Sequence, residues 1–217
     1  MSIKENLQKI LSEIPPHIKL VAVTKTFPAE KILEAYHAGH KIFGENRVQE
    51  ILVKYEQLPK DIEWHLIGHL QTNKVKHIVP FISLIHSVDS LKLLLEINKC
   101  AAKANRIVDC LLQIHIAQEE TKFGLSFVEA ETILCSEELQ QMKNIRILGL
   151  MGMATLSGNE NLIRNEFCLL KKFLDSLSTH SLSILSMGMS SDYKIAIEEG
   201  SNMIRIGSAI FNERKIF

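Results

Sequence analysis

Eight short apolar runs, each followed by a stretch of helical periodicity, constrain this chain more than any other feature. The runs fall at 18–24, 41–45, 63–68, 84–88, 109–116, 145–153, 183–187 and 203–207. Helical spacing occupies 29–37, 48–55, 71–78, 90–104, 127–138, 161–177 and 192–199, and a further helix at 3–14 precedes the first run and stops at Pro15-Pro16. The runs are β-branched and nearly continuous in apolarity, as parallel strands buried on both faces are. Eight strands alternating with helices predict an α/β chain folded as a (β/α)8 TIM barrel with an extra N-terminal helix. A doubly wound open sheet is the competing arrangement. No low-complexity stretch and no linker interrupts the pattern, so residues 1–217 read as a single domain.

Composition excludes several classes of function. Lys+Arg and Asp+Glu balance at 25 each, which leaves no net field to draw nucleic acid or an anionic membrane. The longest apolar run, Ile145 to Ala154, carries charge and glycine and is too short to span a bilayer. The opening Ser2-Ile-Lys-Glu-Asn lacks the apolar core of a signal peptide, so a cytoplasmic protein is the expectation. Cys100, Cys110, Cys135 and Cys168 are widely spaced with no CxxC pair, which suits reduced structural thiols better than disulfides or zinc. His65 and His69 stand four apart, but Gly68 intervenes in a strand-to-turn segment, and no Glu follows the first His as a helical HExxH zinc motif requires. No metal is expected.

Barrel active sites lie at the C-terminal ends of strands, often with a phosphate held by the loops after strands seven and eight. At the end of strand one stands Lys25, in Lys19-Leu-Val-Ala-Val-Thr-Lys25-Thr-Phe-Pro28. Strand alternation puts it on the same face as Val21 and Val23. It is either a solvated strand end or a desolvated amine able to attack a carbonyl and form a Schiff base. After strand seven comes Met187-Gly-Met-Ser190-Ser191-Asp192, and after strand eight Gly207-Ser208-Ala209. Each has an ordinary explanation, as an N-cap or a tight turn. Together they occupy the two loops where barrels commonly hold phosphate. Leu150-Met-Gly-Met153 and Ser186-Met-Gly-Met189 form a local echo at two strand ends.

Arg205 sits inside strand eight, alternating with Met203 and Gly207. It either faces outward, pairs with a carboxylate such as Glu45, or donates to a planar ring nitrogen. An arginine on a barrel's interior face is costly unless paired. A Schiff-base lysine, a phosphate cradle and an arginine near a ring together describe a site for pyridoxal 5′-phosphate, PLP.

Five segments make the likeness specific: Ala22-Val-Thr-Lys25-Thr, Phe43-Gly-Glu-Asn-Arg-Val-Gln-Glu50, Trp64-His-Leu-Ile-Gly-His-Leu-Gln-Thr-Asn-Lys74, Leu185-Ser-Met-Gly-Met-Ser190 and Ile204-Arg-Ile-Gly-Ser208. In this order they resemble the motifs of the YggS/PROSC family of pyridoxal phosphate homeostasis proteins, which are similar to the N-terminal barrel of alanine racemase. The resemblance runs from about residue 3 to 212. It implies that Lys25 holds PLP as a Schiff base, that Ser190, Gly207 and Ser208 bind its phosphate, and that Arg205 faces the pyridine nitrogen. It places Asn46 at the pocket mouth. Ser208 stands where the family commonly has threonine, and either hydroxyl can donate to phosphate. No role is carried onto Ser191 or Tyr193. The implied function is intracellular PLP (vitamin B6) and amino-acid homeostasis without robust turnover. PLP is the expected ligand, and PLP-dependent apo-enzymes are candidate partners. A monomer is expected.

Two rivals remain. A PLP-dependent amino-acid racemase needs acid–base groups on both faces of the substrate–cofactor plane. Alanine racemases take the second from a tyrosine in an additional β-domain, and this chain ends at Phe217 with only Tyr36, Tyr55 and Tyr193 to offer. A cofactor-free Schiff-base aldolase would have no need of Arg205 beside tandem phosphate loops. The polar stretch with Gln71, Asn73 and Lys74 reads equally as a solvated helix start.

Overall fold

A computed structural model describes residues 2–119, 123–177 and 181–211; Phe217 and the end of the resemblance at 212 lie outside them. Eight parallel strands, β1 (Lys19–Val23), β2 (Ile42–Glu45), β3 (Glu63–Leu66), β4 (Leu84–Val88), β5 (Val108–Ile114), β6 (Ile145–Gly152), β7 (Ile184–Ser186) and β8 (Met203–Ile206), close into a barrel in sequence order. Closure is made by β1 against β8, with Val21 level with Arg205. The open-sheet alternative is thereby excluded. Closure also leaves no unpaired edge strand.

The helices are α1 (Ile3–Glu13), α2 (Ala29–His37), α3 (Val48–Gln57), α4 (Val75–Ile78), α5 (Leu91–Lys103), α6 (Phe127–Leu134), α7 (Glu137–Gln141), α8 (Glu160–Ser176), α9 (Tyr193–Glu198) and α10 (Ser208–Phe211). α1 begins at a capping box in which Ser2 and Glu5 satisfy each other's backbone N–H groups. Three local features depart from the periodicity. The 71–78 segment opens as a 3-10 turn over Thr72–Lys74 before becoming α4. The 127–138 segment is two helices, because the Ser136 hydroxyl accepts from the Leu139 N–H and starts a new one. α10, after β8, carries no periodic signal in four residues.

The main core lies between the strands' outward faces and the helices, around Phe43, Trp64, Ile85 and Phe167. A smaller apolar layer of Val21, Leu84, Leu111, Met151 and Met203 fills the barrel's interior. Polar side chains from β3, β4, β7 and β8 follow it there, and above them a cavity opens at the strands' C-terminal ends. Among the described residues no helix is long and apolar enough to cross a membrane, and no group of His, Cys, Asp or Glu could hold a metal ion.

Candidate functional site

The cavity at the C-terminal mouth has a volume of about 350 Å³. Lys25, Asn46, Ser190, Arg205, Gly207 and Ser208 all line it, with Val23, Ile67, Met153, Met189 and Ser191. Every site residue expected from the sequence is therefore brought to one place, from the ends of β1, β2, β7 and β8. Both methionines that close the repeated Met-Gly-Met echo are there. A wider groove of about 720 Å³ lies outside the barrel against α2 and α3, and contains none of these residues.

Lys25 stands two residues past β1, on the face that Val21 and Val23 share, and its side chain is exposed. Of the two sequence readings, the structure has the solvated strand end rather than the desolvated amine. The backbone around it is held firmly. Thr24 donates its hydroxyl to Glu45 Oε1 at 2.6 Å and its N–H to the Gly44 carbonyl at 2.9 Å. Thr26 has φ +69°, an uncommon conformation for a β-branched residue, and donates its N–H to Glu50 Oε2 at 2.7 Å. Lys54, from α3, donates to the Thr24 carbonyl at 2.8 Å and pairs with Glu45 at 2.5 Å. Burial raises the Glu45 carboxyl, and bonds from Lys54 and Thr24 oppose that. Glu45, Glu50 and Lys54 thus clamp both neighbours of Lys25, and sequence reasoning missed them in this role. The available signal was Glu50 and Lys54 at i,i+4 spacing on a helix that follows strand two.

The loop after β7 is shaped by Gly188, whose φ of +96° favours glycine, and whose added Cβ would lie 2.6 Å from the Ala196 Cβ. Asp192 Oδ1 accepts from the Met189 N–H, and the Arg205 N–H donates to the Gly188 carbonyl at 2.9 Å. These bonds dock the loop on β8. Ser190 Oγ accepts from the Gly207 N–H at 3.3 Å, so the two loops meet directly. A Cβ on Gly207 would come within 3.2 Å of the Val23 carbonyl oxygen, tighter than ordinary contact. The N–H groups of Ser208 and Ala209 open α10 and have no acceptor within it. The Ser190 and Ser208 side chains and Gly207 line the cavity side by side there.

Arg205 is 4% exposed and points into the barrel. Its Nη1 donates to the Ser186 carbonyl at 2.8 Å and to Ser186 Oγ at 2.7 Å, and its Nη2 donates to the Gly152 carbonyl at 2.9 Å. Glu45 faces the helices on the other side of the sheet, so the sequence alternatives of an outward arginine or a Glu45 pair do not occur. Burial lowers the Arg205 guanidinium to about 10, with the Asp192 charge opposing; it stays charged at neutral pH. The two histidines four apart separate: His65 is buried in the barrel, while His69 is near the surface, 3.0 Å from Asp89.

This eight-stranded barrel, with a lysine just past its first strand, matches the alanine racemase N-terminal domain model over residues 1–215. The chain is 45% identical over 202 residues to a pyridoxal phosphate homeostasis protein of Aquifex aeolicus, covering 91% of this chain and 87% of that one. It is 40% identical over 211 residues to the protein of the same name from Synechocystis, covering 95% and 96%. The chain belongs to the pyridoxal phosphate homeostasis protein family. Among solved structures it is similar to PipY of Synechococcus elongatus with PLP bound, at TM-score 0.89 and 36% identity, covering 97% of this chain and all of that one. An alanine racemase of Clostridium difficile shares the fold at TM-score 0.78 and 16% identity, and the chain spans 57% of its length.

Proposed function

We propose that this chain binds PLP at the mouth cavity and acts in intracellular PLP and amino-acid homeostasis as one domain over residues 1–217. The observation that carries the reading is the convergence of one exposed lysine amine, one buried arginine and two hydroxyl-bearing loops on a single cavity. Bound PLP supplies an aldehyde that condenses with an amine, a ring that absorbs visible light and a dianionic phosphate. Lys25 is the amine that holds it as a Schiff base. Ser190 and Ser208 donate hydroxyls to the phosphate, and Gly207 keeps the approach open. Arg205 donates to the pyridine nitrogen. Asn46 lies beside Lys25 at the mouth. Replacing Ser190 and Ser208 together by alanine should weaken PLP binding more than pyridoxal binding, since only PLP carries the anion. The loss should be about tenfold or more per bond. Equal losses for both ligands in fluorescence titrations would put the phosphate elsewhere.

The same cavity favours a carrier over a racemase. A charged guanidinium has no acceptor for a pyridinium N–H and keeps its own protons, so the ring nitrogen facing Arg205 stays unprotonated, and such a ring draws electrons poorly. No tyrosine among the described residues lines the cavity. Tyr36 donates to Asp61, Tyr193 donates to Glu13 on α1, and Tyr55 stacks on Phe81. Losing one positioned acid–base group typically costs about 10²–10⁴-fold. Solvent deuterium should therefore not enter the Cα position of common amino acids at an appreciable rate. Rapid exchange that needs both PLP and Lys25 would make the site catalytic.

A further inference from the structure

The barrel interior holds a hydrogen-bond chain that the PLP reading does not use. His86 Nδ1 lies 3.1 Å from Ser186 Oγ, and His86 Nε2 lies 3.0 Å from His65 Nδ1. Ser186 Oγ is also the acceptor for Arg205 Nη1. All four residues are buried. β4 and β7 are not neighbours in the ring, so the His86–Ser186 bond crosses the barrel's lumen. The chain runs from His65 on β3 through His86 on β4 and Ser186 on β7 to Arg205 on β8.

Its direction is fixed from one end. A guanidinium has five N–H donors and no acceptor, so Ser186 Oγ must accept from Arg205. The Ser186 hydroxyl proton is then free to donate, and His86 Nδ1 is the acceptor in reach. A neutral His86 accepting at Nδ1 carries its proton on Nε2 and donates it to His65 Nδ1. His65 in turn carries its proton on Nε2. Protonating either ring would reverse a link or put a second cation beside Arg205. Burial opposes this, holding His65 down to about 3 and His86 well below its ordinary value.

We propose that Ser186 and His86 are positioning residues for Arg205, tethering the guanidinium by a one-directional chain so that its remaining N–H groups are presented to the cavity. Three of the five donors' bonds end on Ser186 and Gly152. The other two are left for a ligand, which under the PLP reading on which this inference rests is the ring nitrogen. Ser186 supplies both its carbonyl and its hydroxyl to one Nη1 atom, and that pair of acceptors sets the plane of the guanidinium. His86 keeps the hydroxyl turned with its lone pair toward Arg205. The role is one of orientation across the working pH range, because neither imidazole gains charge near neutrality.

Two measurements test the proposal. In the wild-type protein without PLP, long-range 1H–15N correlation reads the histidine tautomers, and both His65 and His86 should carry the proton on Nε2. A proton on His86 Nδ1 would overturn the chain's direction, whatever the cavity binds. In protein loaded with PLP labelled at the pyridine nitrogen, Ser186→Ala and His86→Leu should each move the ring 15N resonance. They should weaken PLP binding about threefold to tenfold, the range for one neutral hydrogen bond. His86→Asn keeps an acceptor at the Nδ1 position and should restore both values. Ile97→Ala, in the helix layer, should lower Tm without moving the resonance, which separates orientation from general loss of stability. Wild-type resonance and affinity in Ser186→Ala or His86→Leu would refute the positioning role. Wild-type protein that takes up no PLP at all would instead sink the PLP reading and leave the tautomer result standing.

Discussion

Lys25 and Arg205, the two cations of the mouth cavity, are held in opposite ways. The Lys25 side chain is exposed, and what is fixed is the backbone on either side of it, through the charged groups Glu45, Glu50 and Lys54 behind the sheet. The Arg205 side chain is itself fixed, by neutral oxygens and a pair of neutral imidazoles inside the barrel. Among the described residues neither cation forms an ion pair. A carboxylate on Arg205 would compete for the guanidinium N–H groups that Ser186 and Gly152 now hold. Charge pairing is kept on the helix side of the sheet, where it can stiffen the loop without touching the cavity. The two regions thus show one barrel leaving an amine exposed at its mouth and holding a guanidinium rigid beneath it.

The comparison can be broken first on the charged side. Lys54→Ala leaves Glu45 buried without its cation, and Glu45 Oε2 already has no hydrogen-bond partner among the described residues. Breaking such a pair typically costs about 3–5 kcal/mol, so a large fall in urea midpoint is expected. Exchanging both partners for apolar residues of similar size should cost much less. A loss below about 1 kcal/mol in Lys54→Ala would mean that the pair is solvated and the clamp is weak.

The neutral side should show itself in acid. An unfolded imidazole titrates near its ordinary 6.5, whereas folded His65 is held down to about 3 by burial. Below pH 6.5 the unfolded chain binds protons that the folded chain refuses, so stability is full above that value and falls as pH drops toward 3. His86 adds a contribution of the same sign. The slope should approach about 1.4 kcal/mol per pH unit for each histidine. His65→Asn should flatten the acid limb, whatever it does to stability at pH 7. An unchanged slope would mean that the imidazoles are not buried neutral groups.

Much of the fold was legible because its signals are local and repeated. β4 falls on the apolar run at 84–88, and Ser90 and Ala104 flank α5 as its caps, as the periodicity implies. Ser136, a serine in an otherwise continuous pattern, split a helix because its cap bond depends on one backbone geometry rather than on periodicity. Lys25, Ser190, Gly207 and Ser208 were legible because the rule that barrel sites lie at strand ends needs only strand assignment, whereas Asn46 was placed at the cavity by the family resemblance alone. The clamp and the His65–Ser186 chain were not legible. Glu45 and Arg205 both sit in strands, and which face each takes follows from register around the closed ring, which links residues far apart in sequence. The exposed state of Lys25 was likewise undecided, since strand position fixes a face but not how far the mouth opens.

The reading of Lys25 rests on its amine forming a covalent, reducible link to PLP. The most direct test is to load the protein with PLP, reduce with borohydride, digest, and map the modified peptide by mass spectrometry. The expected result is one pyridoxyl group on Lys25, with loss of the visible absorbance band in Lys25→Ala. A pyridoxyl group on another lysine, or an unchanged band in Lys25→Ala, would contradict it.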